Sequence, residues 1–431
     1  SQLAVRSLSE INLKNNPLNS VALFTHIPAL KARGIKVEYD MFDVVVVFND
    51  PNLEKGIRDA LGIPTGQLKK SDLAKLKKLY LSGYKLAENE RIVDLAGIEY
   101  SINLAELQIV ESQISDLSPL ATLTNLILLS LGTNQIKDIS PLANLNNLKK
   151  LYLAYNQIDD IGPLANLTNL TTLELQYNQI SNVKPLANLT SLAWLKLNNN
   201  QINDLSGLAN FNLPNLWYLR LHRNRLTSLT SLANANLPNL TYLNLEHNQI
   251  SDISPLANLT KLEHLYLTQL RVRDHRIIIS DISSLADLNN LKQLGLSRSQ
   301  ISNISPLANL TNLILLSLGT NQIRDISPLV NNGGIKGSID LKDNPLSKTS
   351  VLTHISALKA RGIKVEFNYP ASWDDEQALV GDVNGDNQVD LFDLVEVASM
   401  FGKKGEGLAA DISGDGQVDL FDLVQVAGNF G

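Results

Sequence analysis

The chain has 431 residues, of which 44% are hydrophobic, 5% aromatic and 19% charged, with no cysteine and a formal net charge of −6. Its length suggests two or three domains, and the lack of cysteine excludes a disulfide framework, a zinc–cysteine or iron–sulfur site and a cysteine nucleophile. No run of about 18 apolar residues occurs, so no membrane span is expected. Residues 374–431 hold 13 acidic against two basic side chains, whereas residues 1–373 hold 30 against 35. That mild positive balance is too dilute to imply nucleic acid.

The chain starts at Ser1 with no signal peptide and reads as a fragment or processed form. Its first segment returns near the far end. Thr25–Glu38 reappears as Thr353–Glu366 with one change, Pro28 to Ser356, and Ile11–Leu18 is matched by Ile339–Leu346. Residues 1–42 are therefore expected to close an earlier, mostly missing array. His26 and His354 are equivalent and are expected to be structural. Val44–Phe48 reads as a buried strand. Asp50-Pro51 then starts a helix running to about Leu61, and Ser71 starts another.

From Leu104 onward the pattern L-x-x-L-x-L-x-x-N-x-I recurs. Its first Leu stands at 104, 126, 148, 170, 192, 216, 240, 262, 291 and 313, mostly 22 residues apart. In one unit, Leu151 and Leu153 share a side of a short strand. Asn156 turns the chain and is expected to bond neighbouring backbone from coil to coil. Ile158, Ile161, Leu164 and Leu167 fill the interior. Ser-Pro is expected to start a helical turn on the back, with Ser as the cap. One such coil cannot bury its own apolar side, but stacked coils share a core. Asp138, Asp160, Asp204, Asp252 and Asp325 read as a row of solvated acids. The 29-residue step after Leu262 carries an insertion, Arg271–Ile279, best read as a tolerated bulge.

Over Lys78–Asn344 this pattern resembles the internalin type of bacterial leucine-rich repeats. The resemblance implies an α/β leucine-rich-repeat solenoid: curved, with a parallel sheet on its concave face and short helical turns behind. It also implies that residues 43–77 are a helical N-terminal cap, 78–346 the repeats and 347–369 a C-terminal cap. In that cap, Ser350–Arg361 reads as an amphipathic helix stopped by Gly362 and followed by a strand, Ile363–Phe367.

Such a solenoid is a binding surface. Its concave positions hold Tyr152, Tyr155, Tyr177, Trp194, Lys196, Tyr218, Arg220, His222, Tyr242, His247, His264 and Tyr266. Tyr, Trp and Arg are favoured where partners bind, so a protein or glycan ligand is expected here. The bland alternative is that Tyr and polar residues suit an exposed strand. His222, His247 and His264 lie on neighbouring strands, but no carboxylate set completes a metal geometry. No hydrolase elbow, zinc-protease motif or phosphate loop occurs, and no catalytic residue or enzymatic activity is expected.

After a linker at 370–380, two segments match at an offset of 29. Each fits a 12-residue calcium loop with oxygen ligands at positions 1, 3, 5, 7, 9 and 12. The first set is Asp382, Asn384, Asp386, the carbonyl of Gln388, Asp390 and Asp393. The second is Asp411, Ser413, Asp415, the carbonyl of Gln417, Asp419 and Asp422. Two calcium ions are expected, with the acids repelling one another in their absence. Position 12 is Asp and one helix follows each loop. In these features residues 381–431 resemble a type I dockerin: a small all-α, EF-hand-like domain that implies a cohesin-like partner. In that family positions 10 and 11 help choose the cohesin and are commonly small or hydroxyl residues. Here they are Leu391-Phe392 and Leu420-Phe421, a departure that points to a greasier socket or to packing against the module's own chain.

The expectation is thus a secreted or surface-associated bacterial binding protein. One alternative is a non-catalytic accessory subunit of a polysaccharide-degrading, cellulosome-like assembly. The other is a structural surface spacer.

Overall fold

The computed structural model describes residues 9–13, 26–38, 43–208, 212–269, 279–369, 383, 391–400 and 418. Near the start, strand β1 (Glu10–Asn12), helix α1 (Ile27–Ala32) and strand β2 (Lys36–Glu38) pack around Ile27, Ile35 and Val37. β1 and β2 pair in parallel.

The array opens on helix α2 (Pro51–Leu61). Asp50 caps it, its Oδ1 accepting from the backbone N–H of Asn52 and Leu53 at 2.8 and 3.1 Å. Its Oδ2 accepts from Val93 N at 2.7 Å, so one buried carboxylate ties the cap to the first coils. Gly62, at φ 68°, ends the helix in the left-handed region. The second cap helix, α3 (Lys70–Leu73), is a single turn. Val44–Phe48 is not the buried strand expected. Val46 and Phe48 are buried, but Val44, Val45 and Val47 face solvent, and one bridge, Val45 to Lys69, is all its strand pairing. An apolar run this short covers the cap with alternate residues only.

Thirteen strands then form one parallel sheet in chain order. They are β3 (Lys78–Ser82), β4 (Glu106–Val110), β5 (Leu128–Ser130), β6 (Lys150–Tyr152), β7 (Thr172–Glu174), β8 (Trp194–Lys196), β9 (Tyr218–Arg220), β10 (Tyr242–Asn244), β11 (His264–Tyr266), β12 (Gln293–Gly295), β13 (Leu315–Ser317), β14 (Ser338–Asp340) and β15 (Lys364–Glu366). The register is direct from coil to coil, as in Leu151↔Leu173 and Leu173↔Leu195. The repeat leucines and isoleucines form one continuous core from Val46 to Val365.

The repeat Asn makes the expected ladder. Asn200 Nδ2 donates to Leu197 O in its own coil (3.1 Å) and Leu175 O in the coil before (2.9 Å), and its Oδ1 accepts from Ile180 N (3.0 Å). Asn134, Asn156, Asn178, Asn224, Asn248, Asn321 and Asn344 repeat this arrangement. Ser299 takes the place of Asn in the coil after the insertion, and its buried Oγ has no partner among the described residues. A second ladder runs along the back. Asn125, Asn147, Asn169, Asn215, Asn239, Asn290 and Asn312, each just before the first Leu, donate to a carbonyl of the preceding coil.

The back turns are mostly single turns of 3-10 helix, as at Ser140–Leu142. Ser is the first residue of the turn and not its cap. The Asp two residues earlier does the capping: Asp138 Oδ1 accepts from Ser140 N at 2.8 Å and Oδ2 from Ser140 Oγ at 2.9 Å. Asp116, Asp204, Asp252, Asp281 and Asp325 bond their Ser in the same way. The acid row is thus a set of Asx turns, not merely solvated charge. At the far end, a wide turn at Ser350–His354 runs into the helix Ile355–Ala360, Gly362 stands at φ 79°, and β15 closes the sheet.

Candidate functional site: an aromatic face and a two-loop tail

Two rows of side chains cross the open face of the sheet. One follows the register Trp194↔Tyr218↔Tyr242↔His264, the other Lys196↔Arg220↔Asn244↔Tyr266. Parallel strands repeat at a spacing close to that of stacked rings. Trp194 lies flat on Tyr218 (centroids 3.5 Å apart, planes 1° apart), and Tyr218 stacks on Tyr242 (4.3 Å, 18°). Tyr218 therefore has both ring faces covered and is only 6% exposed. Burial pushes its hydroxyl pKa well up. At this residue the neighbouring rings occupy the faces on which a ligand could stack. Tyr266 tilts against Tyr242 at 5.6 Å and donates from its hydroxyl to Gln293.

The repeat's eighth position, just past the strand, is left-handed. Tyr155, Tyr177, Asn199, Arg223, His247 and Arg298 have φ between 55° and 60°. Asn and Asp favour this region, and other side chains held there carry some strain. Tyr155 and Tyr177 stack at 4.2 Å and remain 51% and 42% exposed.

Sequence reasoning missed two contributors. Glu174, on β7, accepts from Trp194 Nε1 at 3.0 Å, pairs with Lys196 at 2.8 Å, and accepts from Gln176 at 3.2 Å. It also helps to hold the half-buried Tyr152 hydroxyl up, after burial itself. Trp217 meets Trp194 and Tyr218 edge-on at 5.2 and 5.5 Å and is 43% exposed. Its place beside the strand, one residue before Tyr218, was the available signal.

The cations gather toward the C-terminal half of this face. The Arg220 guanidinium lies 5.3 Å from the Tyr218 ring and 5.4 Å from the Tyr242 ring, and its Nη2 donates to Tyr242 Oη at 3.3 Å. Burial, then Arg220 and Arg223, pushes His222 down to about 4, so it is neutral at pH 7. Burial also lowers His247, with Arg223 and Arg298 adding to it and Glu246 opposing it. His264 stands on β11 beside Tyr242 at 5.8 Å. Among the described residues no His, Asp and Glu side chains gather in threes as a metal site. His354 lies 3.7 Å from Asp325, whereas its counterpart His26 is exposed.

Of the tail, the backbone of the helix Leu391–Met400 is described, together with Val383 and Val418, both buried. Asp393 falls in the first turn of that helix, where the twelfth ligand of a calcium loop belongs. The side chains of Leu391, Phe392 and Asp393 lie outside the description. Asp382, Asn384, Asp386, Gln388, Asp390, Asp411, Ser413, Asp415, Gln417, Asp419, Leu420, Phe421 and Asp422 lie outside the described residues, as do the insertion residues 271–278. The donor set is all oxygen, which suits a hard cation such as calcium.

Comparison with known proteins accords with this division. Leucine-rich-repeat families match residues 146–188 and 289–331, and 168–226 and 214–272. The type I dockerin domain matches residues 380–430. An internalin (inlF) from Listeria monocytogenes is 35% identical, with a TM-score of 0.67, over 75% of this chain and 91% of its own. Internalin C2 from the same species is 40% identical over 53% of this chain and 99% of its own, with a TM-score of 0.48. No curated protein is similar to the chain. Type I dockerins bind calcium and cohesins, and the leucine-rich repeat is a protein-interaction fold. No helix among the described residues is long and apolar enough to cross a membrane.

Proposed function

The chain belongs to the internalin family of leucine-rich-repeat proteins and carries a type I dockerin domain at its C-terminal end, and from this premise we propose that it is an extracellular or cell-surface adaptor. One end recognises a protein through the concave face, and the other docks to a cohesin-like module when two calcium ions fill its loops. The role is binding, with no catalytic step.

The observation that carries this reading is the Trp194–Tyr218–Tyr242 stack. Its central ring, Tyr218, has both faces closed by Trp194 and Tyr242, while Tyr155, Tyr177 and Trp217 stay exposed around it. A sugar stacks on an open ring face. A polypeptide instead needs a stiff surface with exposed aromatic anchors and polar edges. Protein is thus favoured over glycan.

In the tail, Asp382, Asn384, Asp386, Gln388, Asp390 and Asp393 would hold one ion. Asp411, Ser413, Asp415, Gln417, Asp419 and Asp422 would hold the other. Calcium neutralises acids that otherwise repel, and so orders the loops and the helices after them. Leu391, Phe392, Leu420 and Phe421 would then meet an apolar cohesin surface.

Calorimetry and circular dichroism of the chain during calcium titration test the tail. Two sites of micromolar to millimolar affinity are expected, with helix gained on binding and one site lost in each of Asp382→Ala and Asp411→Ala. No calcium uptake would refute the docking role. A pull-down on insoluble polysaccharides with a Trp194→Ala control tests the accessory-subunit reading, which the dockerin match itself favours. Retention abolished by Trp194→Ala would establish a glycan ligand instead of a protein.

A further inference from the structure

Seven buried side-chain atoms without a hydrogen-bond partner among the described residues lie on this one face. They belong to Gln176, Asn198, Asn199, Arg220, and the histidines 222, 247 and 264. An unpartnered buried polar atom costs about 1–3 kcal/mol, so their concentration marks where a partner's polar groups belong. Arg220 Nε and Asn199 Nδ2 are donors, Gln176 Oε1 and Asn198 Oδ1 are acceptors, and the imidazole nitrogens can serve as either, so a partner that accepts at Arg220 and Asn199 meets the donors of the set.

Charge narrows the choice further. Arg220 and Arg223 lie two residues before and one residue after His222 in one coil, and Asn199 stands beside Arg223 at the eighth position of the preceding coil, its backbone N–H donating to His222 O at 3.0 Å. The ion pairs of this face fall on other coils: Glu174 with Lys196, and Glu263 with Lys292. Glu246, one coil on, accepts from Asn244 at 3.0 Å. Asp340 and Asp343 line a groove farther along, with His247, Arg298 and Lys342. Arg220 and Arg223 themselves have no carboxylate partner among the described residues.

We propose that Arg220, Arg223 and Asn199 receive a carboxylate side chain from an acidic polypeptide segment, whose apolar residues settle on Tyr155, Tyr177 and Trp217. This deepens the reading of the face as a protein site and rests on it. An arginine fork matches a carboxylate in two parallel hydrogen bonds. Two arginines and an amide beside exposed aromatic rings suit an acidic residue within a mixed epitope, whereas a sulfated glycan calls for a long basic tract.

The test pans a displayed library of random 20-residue peptides on the calcium-loaded full chain. Selected peptides are then measured against the wild type, Arg223→Glu, Arg223→Lys and the double variant Tyr177→Ala/Trp217→Ala. Arg223 and both aromatics are exposed, so these variants keep the fold, and thermal melting checks that they do. The expected binders share an Asp or Glu, lose at least tenfold affinity to Arg223→Glu, and lose less with Arg223→Lys, which keeps the charge but not the fork. They also weaken as salt rises. Binders without a shared acid, indifferent to Arg223→Glu but weakened by the aromatic variant, overturn the acidic partner and leave the protein-binding face standing. Binders indifferent to both changes, or no binders at all, overturn both. A heparin octasaccharide that binds through Arg223 where no acidic peptide does would overturn the proposal in favour of a sulfated glycan.

Discussion

Asn200 shows how much one side chain does in a repeat. It satisfies two carbonyls and one N–H from two coils, all buried. Asn200→Ala would leave those groups unpaired and is expected to cost about 2–4 kcal/mol, read from urea unfolding. Asn215 bonds only Thr190 O at an exposed site, so Asn215→Ala should cost under about 1 kcal/mol in the same assay. Equal losses would refute the ladder as the reason for the asparagine. His222 gives a pH signature. Its folded pKa of about 4 lies below the ordinary 6.5, so the unfolded chain takes the proton first. The stability that its neutral form allows is present above pH 6.5 and drains as pH falls toward 4, with a slope of at most about 1.4 kcal/mol per pH unit. Thermal melting between pH 7 and 4.5 should therefore fall less steeply in His222→Gln than in the wild type.

At the scale of the element, the back turns are too short to hold themselves. A single 3-10 turn has poor hydrogen-bond geometry, and the Asp, or Asn303 in one coil, two residues before the Ser supplies the missing acceptor. Asp138→Ala should cost about 1 kcal/mol, and Asp138→Asn much less, because an amide oxygen still accepts from Ser140 N. Hydrogen exchange at Ser140 reads this directly; unchanged protection in Asp138→Ala would refute the cap. Bonding to Ser118 likewise holds Asp116 below the usual carboxylate range, and backbone and hydroxyl bonds from Ser283 do the same for Asp281. This capping persists above the ordinary Asp value and is lost as pH falls through the lowered one. The strands carry the opposite lesson. Three residues long except for β3 and β4, they are set by their neighbours' register more than by their own length, which is why aromatic side chains on three successive strands fall into one stack.

Across the whole molecule, the core from Val46 to Val365 is built from the array and its caps. The tail matches a type I dockerin domain, a calcium-binding family, and is expected to depend on metal instead. Removing calcium with a chelator should therefore erase helix belonging to residues 381–431 and leave the main thermal transition of the array unshifted. A drop in that transition on chelation would show that the array leans on the tail. The interruption after Leu267 is the other feature at this scale. There Gln269 holds the eighth position, its buried Oε1 without a partner among the described residues, and Ser299 follows in place of a ladder Asn. The inner ladder thus breaks beside the insertion, and the coils on either side are joined by their leucines, by the pairing of β11 with β12 and by Asn290 of the second ladder.

The amino-acid sequence by itself determined the coil length, the inner leucines, the inner asparagine ladder and the kind of tail. All of these follow from residues spaced within one repeat, where local geometry and burial act together. The second asparagine ladder was equally legible as a recurring Asn before the first Leu. Tertiary structure alone decided which aromatic faces stay open. Tyr218, in its strand, is enclosed on both faces by Trp194 and Tyr242, whereas Tyr177, past its strand, stacks on Tyr155 and stays 42% exposed. That difference depends on what the adjacent coils place 3.5–4.3 Å away. The same holds for Glu174, Trp217 and the unpaired arginines, because pairing between side chains 20 or more residues apart exists only once the coils are stacked.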